Sequence, residues 1–97
     1  MKIIVVGGGQ VGSYLASLLM GRGHEVKILE VREQRAENLK KSLPEGIVLC
    51  GSGTDPTTLE NAGVRHTDVV AAVTGSDETN LVIATLAKLE YGVRRVV

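Results

Sequence analysis

The chain has 97 residues, 43% of them hydrophobic and 23% charged, with 11 basic side chains balancing 11 acidic ones. One domain spanning residues 1–97 is expected, because two would need roughly 100 residues each. Neutral charge and only two aromatic residues, Tyr14 and Tyr91, argue against a nucleic-acid partner, which calls for a basic face or a stacking platform.

Ile3-Ile4-Val5-Val6 opens the chain as a β-branched run that ends at three glycines. A run apolar on both faces suits a strand buried between helix layers. It is too short to cross a bilayer, and too short for a signal peptide. From Gln10 the period becomes helical, with Val11, Tyr14, Leu15, Leu18 and Leu19 predicted as one stripe facing the sheet. Gly21-Arg22-Gly23 ends this helix, and Val26–Leu29 reads as a second strand. Glu33–Ser42 is a helix with Ala36, Leu39 and then Leu43 inward. Pro44-Glu45-Gly46 turns into a third strand, Ile47–Cys50. Asp55-Pro56 starts a short helix, with Asp as cap and Pro pre-set in the first turn. Val69–Val73 is a fourth strand. Ser76 caps the next helix, with Asp77 and Glu78 complementing its dipole. A fifth strand begins at Val93.

Strands alternating with helices give a parallel sheet with right-handed crossovers. The fold class is therefore α/β, a Rossmann-type doubly wound parallel sheet. A strand opening at the last residues leaves no room for later elements of that fold. The reading favours a fragment truncated after the fifth strand over an edge supplied by another chain.

Gly7, Gly9 and Gly12 satisfy G-x-G-x-x-G between a strand and a helix, the context the motif requires. Gly7 permits the tight turn, Gly9 lets a pyrophosphate approach the backbone, and Gly12 allows close helix packing. The helix start then aims its free N–H groups at phosphates. Glu30 ends the second strand 18 residues after Gly12, where an acid can hold an adenosine ribose. Its charge disfavours a 2′-phosphate, and Arg32 weakens that exclusion. Gly51, Ser52, Gly53 and Thr54 follow the third strand, placed to face an adenine. Thr74, Gly75 and Ser76 follow the fourth and line the far half of the same crevice. Cys50, the only cysteine, permits no intrachain disulfide, fits a reducing compartment, and is expected to be a small core residue. His24 and His66 lack metal-ligand spacing and read as turn residues. No catalytic triad, CxxC, HExxH or P-loop is present.

Residues 7–12, Ile28–Leu39, Gly51–Val64 and Val73–Leu81, in this order, resemble the N-terminal RCK/KTN (TrkA-N) domain. That domain regulates potassium channels and Trk/Ktr-type potassium uptake systems. The resemblance implies a cytoplasmic nucleotide sensor at the inner face of the membrane, not an enzyme. It implies NAD(H) as the leading ligand, with ATP, ADP and AMP as alternatives. It also implies a homo-oligomer, a dimer or higher ring, bound to a membrane potassium transporter or channel. Carried over by residue, Gly7, Gly9, Gln10, Val11 and Gly12 meet the phosphates, and Glu30 the ribose, with Arg32 at its edge. Gly51–Thr54 border the adenine, and Thr74–Ser76 flank the phosphates or second ribose. One departure is visible: the family often has Gly-Asp-Ala-Thr where this chain has Gly51-Ser52-Gly53-Thr54. The helix Asn80–Leu89, apolar over much of its surface, is the expected contact face. The competing expectation is the cofactor-binding fragment of an NAD-dependent oxidoreductase, which needs a further domain to supply substrate contacts and an acid or base.

Overall fold

The computed structural model describes all 97 residues. Five parallel strands, β1 (Lys2–Val6), β2 (Glu25–Glu30), β3 (Val48–Cys50), β4 (Val69–Ala72) and β5 (Arg95–Val96), form one sheet in the order β3-β2-β1-β4-β5. Four α-helices connect them: α1 (Gln10–Gly21), α2 (Glu33–Ser42), α3 (Pro56–Asn61) and α4 (Asp77–Thr85). A 3₁₀ turn, Val64–His66, leads into β4, and a π-helical turn, Leu86–Glu90, extends α4. No helix is long and apolar enough to cross a membrane.

The unbroken apolar run of β1 is explained by its place at the sheet centre, hydrogen-bonded to β2 on one side and β4 on the other. Its residues alternate between two cores. Ile3 and Val5 pack with Ala16 of α1 and Ala36 of α2; Ile4 and Val6 pack with Leu59 of α3 and Ile83 of α4. Helices thus cover both faces. Each fully buried aliphatic side chain contributes about 1.5–3 kcal/mol, so this double burial makes β1 the anchor of the fold.

The predicted inward stripe of α1 is corrected by the structure. Val11 and Tyr14 are 67% and 71% exposed, and Leu18 is exposed as well. The buried residues of α1 are Gly12 and Ala16, with Leu15, Leu19 and Met20 packed partly around them. The cause lies in the glycine turn. A Cβ at Gly12 would lie 1.7 Å from the Gly7 carbonyl oxygen, so the small side of the helix must face the sheet. That contact sets the helix phase and rotates Val11, Tyr14 and Leu18 outward.

A second correction concerns Cys50, which is exposed. It ends β3, an edge strand, and its thiol faces the Val31 carbonyl at 3.9 Å instead of entering a core. The last strand begins later than predicted. Val93 is buried and donates its N–H to Ala87, which leaves Arg95 and Val96 to pair with Val69 and Val70.

The strand order reverses at β1. Successive crossovers through α1 and α2 build outward to β3, and the chain then returns through α3 to place β4 on the other side. Ligands in open α/β sheets bind outside the carboxyl ends of the strands at such a reversal.

Candidate nucleotide-binding crevice

At the carboxyl edge of β1 the chain turns through Gly7, whose φ of +116° is open to glycine and strained for other residues. The Gly7 N–H donates to the Leu29 carbonyl at 2.8 Å, which ties the turn to the end of β2. A Cβ on Gly7 would also press the Val73 carbonyl at 2.9 Å. Gly7 and Gly12 are therefore required by the fold itself.

Gly9 is different. Its φ is −71°, open to any residue, and a Cβ there would meet only the tip of Arg35 at 3.4 Å. Only the flexible end of Arg35 borders this space above the start of α1, which has no side-chain cap. The first intrahelical-type bond runs from the Ser13 N–H to the Gly9 carbonyl, so the N–H groups of Gln10, Val11 and Gly12 have no backbone acceptor. Unpaired donors, the positive end of a helix and a missing Cβ are together the chemistry that suits an anion such as a phosphate.

Glu30 is 3% exposed, the one buried charged residue. A buried carboxylate is costly unless hydrogen bonds satisfy it. Its Oε1 accepts the Gly8 N–H at 2.8 Å and its Oε2 accepts the Arg32 N–H at 2.7 Å. Arg35 Nη1 stands 3.6 Å from Oε1 as a counter-charge. Glu30 thus clamps the glycine turn to the end of β2. A carboxylate offers about four lone-pair sites, so it keeps capacity for a hydroxyl donor from the crevice.

The opposite wall comes from β3 and β4. Ser52 Oγ pairs with Thr54 Oγ1 at 2.7 Å and accepts the Thr54 N–H, closing a local turn. Asp55 then caps α3 by accepting the Thr57 N–H, as its position before Pro56 predicts. Gly53 is buried against Val6 and Ile83. After β4, Asn80 Oδ1 accepts the Thr74 N–H at 2.9 Å and its hydroxyl at 2.6 Å, while Asn80 Nδ2 donates back to the Thr74 carbonyl. Ser76 caps α4 through the Thr79 N–H. Gly75 has open space around its Cβ position and an unstrained backbone, so the fold does not require glycine there either.

These walls enclose a crevice of about 420 Å³. Gly7, Gly9, Glu30, Arg32, Gly51, Ser52, Gly53, Thr74, Gly75 and Ser76 all line it. Gln10, Val11, Gly12 and Thr54 do not. Gln10 and Val11 are exposed on α1, Gly12 lies beneath Gly7, and the Thr54 side chain is spent on Ser52. Three residues emerge that the sequence reading missed. Arg35 and Thr79 line the crevice, and Asn80 shapes its Thr74–Ser76 wall.

The TrkA-N domain family model matches residues 3–97. A Trk system potassium uptake protein TrkA homolog of Methanothermobacter thermautotrophicus is 40% identical over 97 residues, covering 100% of this chain and 44% of that protein. The chain thus spans less than half the length of that relative. The Kef CTD of Shewanella denitrificans in AMP-bound form superposes with a TM-score of 0.79 at 22% identity, over 99% of this chain and 57% of that one. The GsuK structure bound to ADP gives 0.79 at 20% identity, over 98% of this chain and 24% of its own. At such identities the two structures speak for the fold, and the family match speaks for descent. The chain belongs to the TrkA-N domain family.

Proposed function

We propose that this chain is the nucleotide-binding regulatory module of a potassium uptake system. The observation that carries the reading is Gly9, a glycine the fold does not need, set over the uncapped start of α1 and open to the crevice. Glycine backbone, hydroxyls, one buried carboxylate and two guanidinium groups suit the binding of phosphates and ribose. That set favours a sensor over a catalyst. The volume lies within the range of about 300–1,000 Å³ common for small-molecule sites.

In this reading a phosphate rests on Gly9 and the first turn of α1, and Glu30 takes the adenosine ribose. Gly51–Gly53 border the base, and Thr74–Ser76 flank the far phosphate or a second ribose. NAD(H), ATP, ADP and AMP share the features so read. AMP and ADP in the two structural neighbours support an adenine ligand, and the relative named for potassium uptake supports the potassium-transport setting. The exposed Leu81, Val82 and Leu89 on α4 and its extension form the contact face toward a second copy or the membrane transporter. The ligand acts by binding one arrangement of that assembly better than another, the only way a ligand shifts such a balance. The module works at the cytoplasmic side of the membrane.

Isothermal titration against NADH, NAD, ATP, ADP, AMP and NADPH, with thermal shifts beside it, tests the reading. A ligand near 100 Kd adds about 2.7 kcal/mol to stability. Binding of the forms without a 2′-phosphate, with NADPH weaker, is expected. A folded chain that binds none of them overturns the reading.

A further inference from the structure

We propose that Arg35 is the phosphate-grasping side chain of this crevice, setting its affinity for nucleoside diphosphates above that for the bare nucleoside. The inference rests on the nucleotide reading and deepens it. Arg35 Nη1 lies 3.4 Å from the Cβ position of Gly9, over the spot where a phosphate would meet the start of α1. A phosphate seated there has helix N–H groups on one side and a guanidinium on the other. Arg35 is half-buried and flanked by the buried Ala36, so α2 fixes where the side chain departs.

The ion pair with Glu30 holds the guanidinium at the mouth without consuming it. At 3.6 Å the contact is electrostatic, beyond hydrogen-bond length, so the N–H donors remain available. The Glu30 oxygens are already bonded to the Gly8 and Arg32 N–H groups, so Glu30 does not depend on Arg35 for its place. Arg32 also lines the crevice, but its side chain is exposed and nothing sets it against Gly9. A planar guanidinium can meet two phosphate oxygens at once, which lysine cannot.

Titration of ADP, and of adenosine by competition with ADP, into the wild type, Arg35→Gln, Arg35→Lys and Arg32→Gln tests this. Thermal melts establish that each variant is folded. Arg35→Gln is expected to weaken ADP about ten- to a hundredfold, the scale of a lost charge-assisted hydrogen bond. Adenosine affinity should hold within about twofold, and ADP binding should depend less steeply on salt. Arg35→Lys should fall between, and Arg32→Gln should lose less than Arg35→Gln. A folded Arg35→Gln that binds ADP like the wild type overturns the proposal and leaves the nucleotide reading intact. Equal losses for ADP and adenosine overturn it too, because they mark Arg35 as a structural partner of Glu30. A wild type that binds no ADP overturns the proposal, and one that also binds none of NADH, NAD, ATP and AMP overturns the nucleotide reading with it.

Discussion

Two glycine-rich loops face each other across the crevice, and they use glycine for different reasons. In the loop after β3, both glycines are demanded by packing. A Cβ on Gly51 would strike the Thr58 side chain at 2.6 Å, and one on Gly53 would strike Val6 at 2.6 Å. In the loop after β1, Gly7 and Gly12 are demanded by the fold, but Gly9 is not. A motif written as a row of glycines therefore mixes positions the fold requires with one it leaves free. The space each missing Cβ would fill separates the two.

Substitutions can sharpen or break this contrast. The largest effect is expected from Gly12→Ala, whose new methyl would sit 1.7 Å from the Gly7 oxygen. Backbone cannot yield that far, so a loss above about 3 kcal/mol and no cooperative melt by circular dichroism are expected. Gly53→Ala is milder, since side-chain methyls of Val6 and Ile83 can shift. It should cost about 1–3 kcal/mol, each kcal/mol lowering Tm by about 4–8 °C in a domain of this size. A Gly53→Ala variant as stable as the wild type would undo the packing account of the second loop, and would open this position to the alanine common in the family.

Glu30→Ala comes next, with a loss of about 1–3 kcal/mol in chemical denaturation, because the buried Gly8 N–H loses its acceptor. Its effect on ligand affinity is therefore mixed with damage to the turn, which makes Glu30 a poor sole test of binding. Ser76→Ala removes the cap of α4 and should cost about 1 kcal/mol. It also loosens one end of the Thr74–Ser76 wall.

The sequence made the strand–glycine–helix unit, the acid at the end of β2 and the caps Asp55 and Ser76 legible, because each rests on local chemistry. The phase of α1 was not legible from apolar residues alone. Counting Val11, Tyr14 and Leu18 as inward overlooks that Gly12 and Ala16 are the residues small enough to approach the sheet. Cys50 was misplaced for a related reason: whether a strand end is buried depends on strand order, and β3 lies at the edge. Arg35 reaches the site by a long side chain crossing from α2 to the glycine turn, a contact that no spacing within one element encodes, whereas Asn80 bonds Thr74 six residues before it, across the start of its own helix.

The smallest expected effect on stability, and the most direct test, belongs to Gly9→Ala. Alanine is a poorer helix cap than glycine but restricts the unfolded chain, so the net change should stay within about 1 kcal/mol. Titration of ADP into this variant beside the wild type is the decisive measurement. An equally folded protein whose ADP affinity falls at least about tenfold is expected, because the methyl would fill the proposed phosphate seat. A folded Gly9→Ala that binds ADP as tightly as the wild type would contradict it.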